Sequence, residues 1–449
     1  MKRSLLLLSL IILFALSTAE SAFAGKTPHK LQLDAYQVEV NGITYRIDPR
    51  VELFNIIAMQ FGHHGMTLSN VSYKQESLEY FDAHKSHPAP QKLLRSWKNG
   101  WQVDDPMFFL LYLNEDFTIR EGLHPDLIKR GGGIEHLTGL ADSFRDFADT
   151  SGFYDYFHRK QKQFYEQVLS QTAYHFRNFR AKEMLEGFYG EQASAYTFIL
   201  NLAGGYGNFG KSIRSENGLQ LYAIVESSVS SGDLPVFKPS ISGTNLILHE
   251  FSHGFVNPIV DRYAEELSGY EHLYNPIAES MRSQAYHHWQ VTVNEHIVRA
   301  AVIEMCRLEF GEAYSDKLFY KLEMGKRFIY LDALLEKLKN YSNNRRQYPT
   351  FAPFVPELIS VFGEINEDYI SAKQEKVEHL RAPRISEIPK PNDFARDSST
   401  VFVIPTQERD TQAQDEMHRW VEQYRQIFRM IFVPLPMSRP CKWIFPNPI

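Results

Sequence analysis

The chain has 449 residues, with 48 Lys+Arg against 54 Asp+Glu and a formal net charge of −6. Hydrophobic residues make up 43%, aromatics 14% and charged residues 23%, which excludes a collagenous, low-complexity or wholly disordered chain. The near-neutral balance offers no basic footprint for nucleic acid, and two cysteines, Cys306 and Cys441, exclude a disulfide scaffold and a four-thiolate metal site.

Lys2 and Arg3 precede an apolar run from Leu5 to Leu16, with small residues at Ala22 and Ala24. That pattern predicts a secretory signal peptide over residues 1–24 and export to the periplasm or the exterior. The run is too short for a membrane span, so no stable anchor is expected after cleavage. In an oxidising compartment Cys306 and Cys441 can pair or stay as separate thiols, and the sequence leaves both open.

From Leu31 to Ile47 the chain reads as two short strands around the turn Asn41-Gly42. The run VELFNIIAMQFG reads as an amphipathic helix, and helical patterns continue to Gly187. Ala195–Ala203 and Leu219–Glu226 are strand-like, separated by a Gly-rich loop. Helices resume at Thr244 and dominate to about Lys376. Beyond residue 380 the chain is Pro-rich, with one strand, TVFVIP, and one helix from Thr411 to Met430. The expectation is a helix-rich α+β fold with a small sheet beside the helix that starts at Thr244. Its divisions are an N-terminal α+β region over 25–150, a second domain over 151–380 and an extension over 381–449.

The Gly-rich loop GYGNFGKS, residues 205–212, fits both GxGxxG and the phosphate-loop pattern GxxxxGK[ST]. Phosphate binding needs a helix directly after such a loop, so that backbone N–H groups and the helix dipole face the anion. Only IRSENG follows before the next strand, which leaves no room for that helix. The loop therefore reads as a strand-to-strand turn, with no nucleotide as partner.

His249-Glu250-Phe251-Ser252-His253 is an HExxH. Ser242 or Thr244 can cap a helix there, ending before Pro258. On that helix His249 and His253 are i and i+4, so both imidazoles leave one face and can share one Zn²⁺. Glu250 lies about 100° round the axis, placed to take a proton from metal-activated water without ligating the metal. A hydrolytic zinc wants a third protein ligand. The longer HExxHxxGxxH pattern is excluded because Ile259 stands where its third histidine belongs. Downstream candidates are Asp261, Glu265, Glu266, Glu271, His272, Glu279, His287, His288 and Glu295. The first three follow too closely to fold back onto the metal. Glu295 is favoured because it shares a strongly helical stretch with Val291, Val298, Val302 and Met305, where a carboxylate is costly to bury without a metal or cation. Glu271 and His272 are the alternatives, and a plain Glu295–Arg299 surface pair is the competing reading. Asn257 and Arg299 are candidate outer partners of the ligands. His63-His64, His84 and His87 lack a helical ligand partner and read as surface or core histidines.

HEFSHGFVNP followed by a second helix carrying NEHIVRA resembles the zincin metallopeptidases with a glutamate ligand. With DPRVELFNIIAMQFG, YFDAHKSHPA and YPTFAPFVPEL, the chain from about 35 to 365 is similar to a bacterial family of secreted proteins known mainly as a domain of unknown function and read as metallopeptidases. The resemblance implies zinc at His249, His253 and Glu295, Glu250 as general base and a peptide or protein substrate. On that reading the strand Leu219–Glu226 can present an edge to an extended peptide, and an oxyanion donor is expected from a Tyr or His beyond Glu295. The competing functions are a zinc hydrolase of a non-peptide amide or ester, and a non-catalytic binding protein that keeps the fold.

Overall fold

The computed structural model describes residues 30–60, 72–204, 207–227, 230–316 and 321–380. The expected signal peptide, His63-His64, Cys441, the TVFVIP strand and the Thr411–Met430 helix lie outside the described residues.

The fold is helix-rich α+β, built on one five-stranded mixed sheet of order β1-β2-β3-β5-β4. Strands β1 (Gln37–Val40) and β2 (Ile43–Arg46) form a hairpin. Its two turn residues, Asn41 at φ 50° and Gly42 at φ 72°, are both left-handed, as a two-residue hairpin turn with the twist of its strands requires. The Asn41 amide also donates to the carbonyls of Phe176, Arg177 and Phe179, fixing the turn to the end of a helix far along the chain. Strand β2 pairs in parallel with β3 (Ala195–Asn201), and β3 in parallel with β5 (Gly218–Glu226). Strand β4 (Phe209–Ser215) pairs antiparallel with β5 and forms the sheet's edge. All but the first residue of β3 are buried, which fits its nearly unbroken apolar run, AYTFILN.

The longer helices of the N-terminal half are α1 (Pro49–Gln60), α2 (Ser72–Phe81), α3 (Pro88–Asn99), α4 (Ile134–Ser151), α5 (Lys162–Phe176) and α6 (Ala181–Tyr189). All are inserted between β2 and β3. One expectation is corrected here. Helix α1 is not amphipathic: Pro49 to Met59 are buried without a break, polar residues included. Its arginine is satisfied internally, with Arg50 Nε 2.9 Å and Nη2 2.6 Å from the Asp48 carboxylate and Nη1 donating to the Leu113 carbonyl at 2.9 Å. An all-round buried helix must pair its charges, and this one does. His87 serves structure too: its Nδ1 accepts from the Ala89 N–H ahead of Pro88, capping α3, while Nε2 meets Asp146 at 3.0 Å.

The described residues up to Asn366 form one compact unit. No boundary falls at residue 150, because the β2–β3 ladder joins the two expected regions into one sheet. A second unit begins at Glu367, of which the helix Glu367–Leu380 is described. The later helices of the first unit that matter for the site are α7 (Ile241–Val260), α8 (Trp289–Phe310) and α9 (Leu331–Asn343). Helix α7 lies against β4 and β5 and against α8, and α8 lies in turn against α9. From Thr292 to Cys306, α8 is buried all round, whereas Val291, expected on its buried side, is exposed. Cys306 is a free, buried thiol. No helix among the described residues is long and apolar enough to cross a membrane.

Candidate metal centre

Helix α7 starts earlier and stops later than expected. Its cap is Ser240, whose hydroxyl accepts from the Gly243 N–H at 3.1 Å, and it continues through Pro258 to Val260. Proline there removes only the bond to the Gly254 carbonyl, a small loss in the last turn. The helix is held against the sheet by two glycines. A Cβ on Gly254 would collide with the Leu221 side chain, and a Cβ on Gly210 of β4 would collide with the Glu250 carbonyl oxygen. Glycine at both positions lets strand and helix backbones approach closely.

This geometry answers the phosphate-loop match. Strand β4 begins at Phe209, inside the motif, so the second half of the motif is strand and not the expected turn, with no helix N-terminus to face an anion. Gly210 is small because it packs on Glu250, and Lys211 forms an ion pair with Asp104. The same strand corrects a second expectation. Leu219–Glu226 is not an edge, because β4 covers it; β4 itself is the edge beside α7.

His249 and His253 project from one face of α7, with their Nε2 atoms 3.1 Å apart. Glu295 reaches both from α8: one oxygen lies 3.4 Å from His249 Nε2 and the other 3.5 Å from His253 Nε2. His249, Glu250 and His253 also offer ligand atoms within 4.8 Å of one another, a cluster that could hold a metal ion. The 3.1 Å between the two Nε2 atoms is close to the roughly 3.4 Å that separates ligands bound at about 2.0–2.1 Å in tetrahedral array. Glu295 brings a different oxygen to each histidine, Oε2 to His249 and Oε1 to His253. Glu295 is also buried, with Oε2 3.2 Å from Arg299 Nη2. A buried carboxylate is costly without a cation beside it, and Arg299 supplies that charge.

The other candidates lie elsewhere. Glu271 and His272 sit exposed on a short 3-10 turn, Glu271–Ile277. Asp261 accepts from Gln290 at 3.0 Å and from Asn294 at 3.1 Å, joining the end of α7 to α8 instead of turning back to the histidines. Asn257 accepts at His253 Nδ1, 3.2 Å away, which orients that ring. Arg299 does pair with Glu295, at 3.2 Å, but the pair is buried, at 8% and 7% exposure, and not a surface contact.

Burial sets the electrostatics. It lowers the His249 imidazole to about 4, with Arg299 adding to the effect, and lowers His253 as well. Both rings are therefore neutral at pH 7, the form that ligates a metal. Burial, with the neighbouring Glu295 charge, pushes the Glu250 carboxyl up to about 8, although the Gly210 N–H donates to it. For Glu295 burial alone would raise the carboxyl, but His253, Arg299 and His249 outweigh it and hold it well below the usual carboxylate range. Two neighbouring carboxyls are thus driven in opposite directions, Glu250 toward keeping its proton and Glu295 toward a fixed anion.

Residues the sequence reading missed complete the surroundings. The Tyr286 hydroxyl accepts from Arg299 Nη2 at 3.1 Å and donates to Glu295. It lies ahead of Glu295 in the chain, not beyond it, on a turn made by left-handed Ala285 at φ 70°. No spacing rule connects QAYHHW to HExxH, so nothing in the sequence singled it out. Glu323, nearly fully buried, faces Arg299 from the far side.

The family of this chain follows from a match over residues 43–361, which covers most of its length. The chain belongs to the family described as Domain of unknown function (DUF4932). No curated protein and no solved structure matches it. Within the DUF4932 segment lie every residue of the His-Glu-His cluster, Glu295 and both partners of its outer ion pairs, Arg299 and Glu323.

Proposed function

We propose that this DUF4932 protein is an exported zinc-dependent metallopeptidase of zincin type. The observation that carries the reading is the convergence of His249 Nε2 and His253 Nε2, 3.1 Å apart, with the Glu295 carboxylate within 3.5 Å of both rings and Glu250 beside them. Two imidazoles and one carboxylate are a donor set that suits zinc and leaves one position open. When bound, zinc supplies Lewis acidity toward water and toward a carbonyl oxygen.

The chain's own residues supply the rest. Glu250 is buried and more basic than an ordinary glutamate, and in its ionised form it would take a proton from the attacking water and return it to the leaving amine. The Gly210 N–H fixes the direction of its carboxylate. Tyr286, at the edge of the ligand group, could serve a developing oxyanion by turning its one hydroxyl proton away from Glu295. Strand β4 is the sheet edge next to α7, and an extended peptide can add to it through backbone hydrogen bonds, which favours a peptide or protein substrate. Export rests on the charged and apolar pattern of residues 1–24.

Metal analysis of the purified mature chain should find zinc near one equivalent, and a peptide library should be cleaved in a chelator-sensitive way. A chain with no zinc after dialysis against it would sink the reading. Stoichiometric zinc with cleavage of ester or non-peptide amide substrates alone would move it to a different hydrolase.

A further inference from the structure

The two histidines of the site meet different partners on their outer nitrogens. His253 Nδ1 faces the Asn257 side-chain oxygen at 3.2 Å. An acceptor there keeps the ring hydrogen on Nδ1 and leaves the Nε2 lone pair for a metal. His249 Nδ1 faces Arg299 Nη1 at 3.3 Å. A guanidinium has donors only, so with Arg299 in this position the His249 hydrogen belongs on Nε2, where a metal must bind. One ring is set for metal and the other is held against it.

Arg299 has somewhere else to go. Its Nε lies 3.4 Å from the Glu323 carboxylate yet makes no hydrogen bond, and its plane rests on the Phe328 ring at 4.2 Å. Glu323 is 2% exposed. It is itself anchored by Lys326 Nζ at 3.1 Å and by Asn245 Nδ2 at 3.3 Å, and Asn245 stands one turn before His249 on α7. The guanidinium thus sits between two carboxylates, Glu295 in the ligand triad and Glu323 outside it.

We propose that Glu323 is a positioning residue for the metal centre: it draws the Arg299 guanidinium off His249 Nδ1 so that His249 can bind through Nε2. The inference rests on the metal reading above and goes beyond it by assigning a residue that touches neither the metal ligands nor substrate. Glu323 also balances the Arg299 charge, which otherwise repels a divalent cation.

Zinc affinity by competition with a chromophoric chelator, on the purified chain, tests this. Glu323→Gln should bind zinc about tenfold or more weakly, in the range seen when outer partners of metal ligands are lost. Glu323→Asp, which keeps the charge, should recover most of that loss. Arg299→Met/Glu323→Met removes the donor together with its anion, and should bind zinc as tightly as Arg299→Met alone, because Glu323 acts through Arg299. Urea midpoints measured alongside separate affinity from folding, and if Glu323→Gln does not fold, the comparison of the double variant with Arg299→Met decides alone. Wild-type affinity in Glu323→Gln, or a double variant about tenfold weaker than Arg299→Met, overturns the proposal. A wild-type chain that takes up no zinc defeats the metal reading itself, a distinguishable result.

Discussion

At Glu250 and Glu295 the two carboxylates of the site differ in environment, and substitution should separate their roles. Glu250→Gln keeps the shape and should leave zinc content unchanged while peptide cleavage falls by about 10²–10⁴, the usual span for a lost general base. Glu295→Ala should instead lower zinc affinity by more than about 100-fold, since loss of even an outer partner costs about 10–100-fold. Equal cleavage by wild type and Glu250→Gln would refute the base. Unchanged zinc occupancy in Glu295→Ala would refute the third ligand. The HExxH histidines and the downstream glutamate were legible because helical spacing and the cost of burying a charge are local or nearly local properties. Tyr286 and Glu323 were not. They reach the site by tertiary packing of a turn and a short helix, for which no periodicity exists to read.

Among the elements, the β4–α7 contact is the one on which catalytic geometry depends. Gly210→Ala would drive a methyl group into the Glu250 backbone carbonyl, where no flexible side chain can yield. Overpacking of this kind typically costs about 1–3 kcal/mol. Thermal denaturation should show the loss, and cleavage should fall further than stability because Glu250 and its Gly210 donor shift together. A variant as stable and active as wild type would mean that strand and helix are looser than described. The strands β1, β2, β3 and β5 and the helix α7 were readable from alternation, apolar runs and a turn signal. Strand β4 was hidden, because FGKSIRS is polar and sits inside a loop motif, as suits an edge strand with one face toward solvent. The all-round burial of α1 was also hidden, since Asp48 and the carbonyl that neutralise Arg50 are a matter of tertiary contact.

For the molecule as a whole, Glu52 links stability to pH. It is fully buried on α1, accepting from the Tyr73 hydroxyl and, at 3.2 Å, from the Leu202 N–H that follows β3. Burial raises its carboxyl from 4.5 to about 7, more than those two donors lower it. The folded chain keeps this proton where the unfolded chain has released it. The contribution to stability is therefore fully present below pH 4.5 and is lost as pH rises through about 7. In Glu52→Gln that slope should vanish, so the stability difference from wild type should change by roughly 3 kcal/mol across the window. Urea unfolding at pH 4.5 and 8 measures it, and parallel curves for the two proteins would exclude Glu52 as the titrating group. The order of the sheet has a kinetic consequence as well. Ser215 pairs with Gly218 across a tight turn, whereas Thr44 pairs with Thr197 only after the whole inserted helical block has been spanned. Local pairing closes cheaply and early, and distant pairing comes late. The β4–β5 hairpin and the helices after it should therefore form the folding nucleus, with the β1–β2 hairpin docking last. Replacing Gly218, at φ 94°, should slow refolding, while a substitution at Thr44 should leave refolding unchanged and speed unfolding.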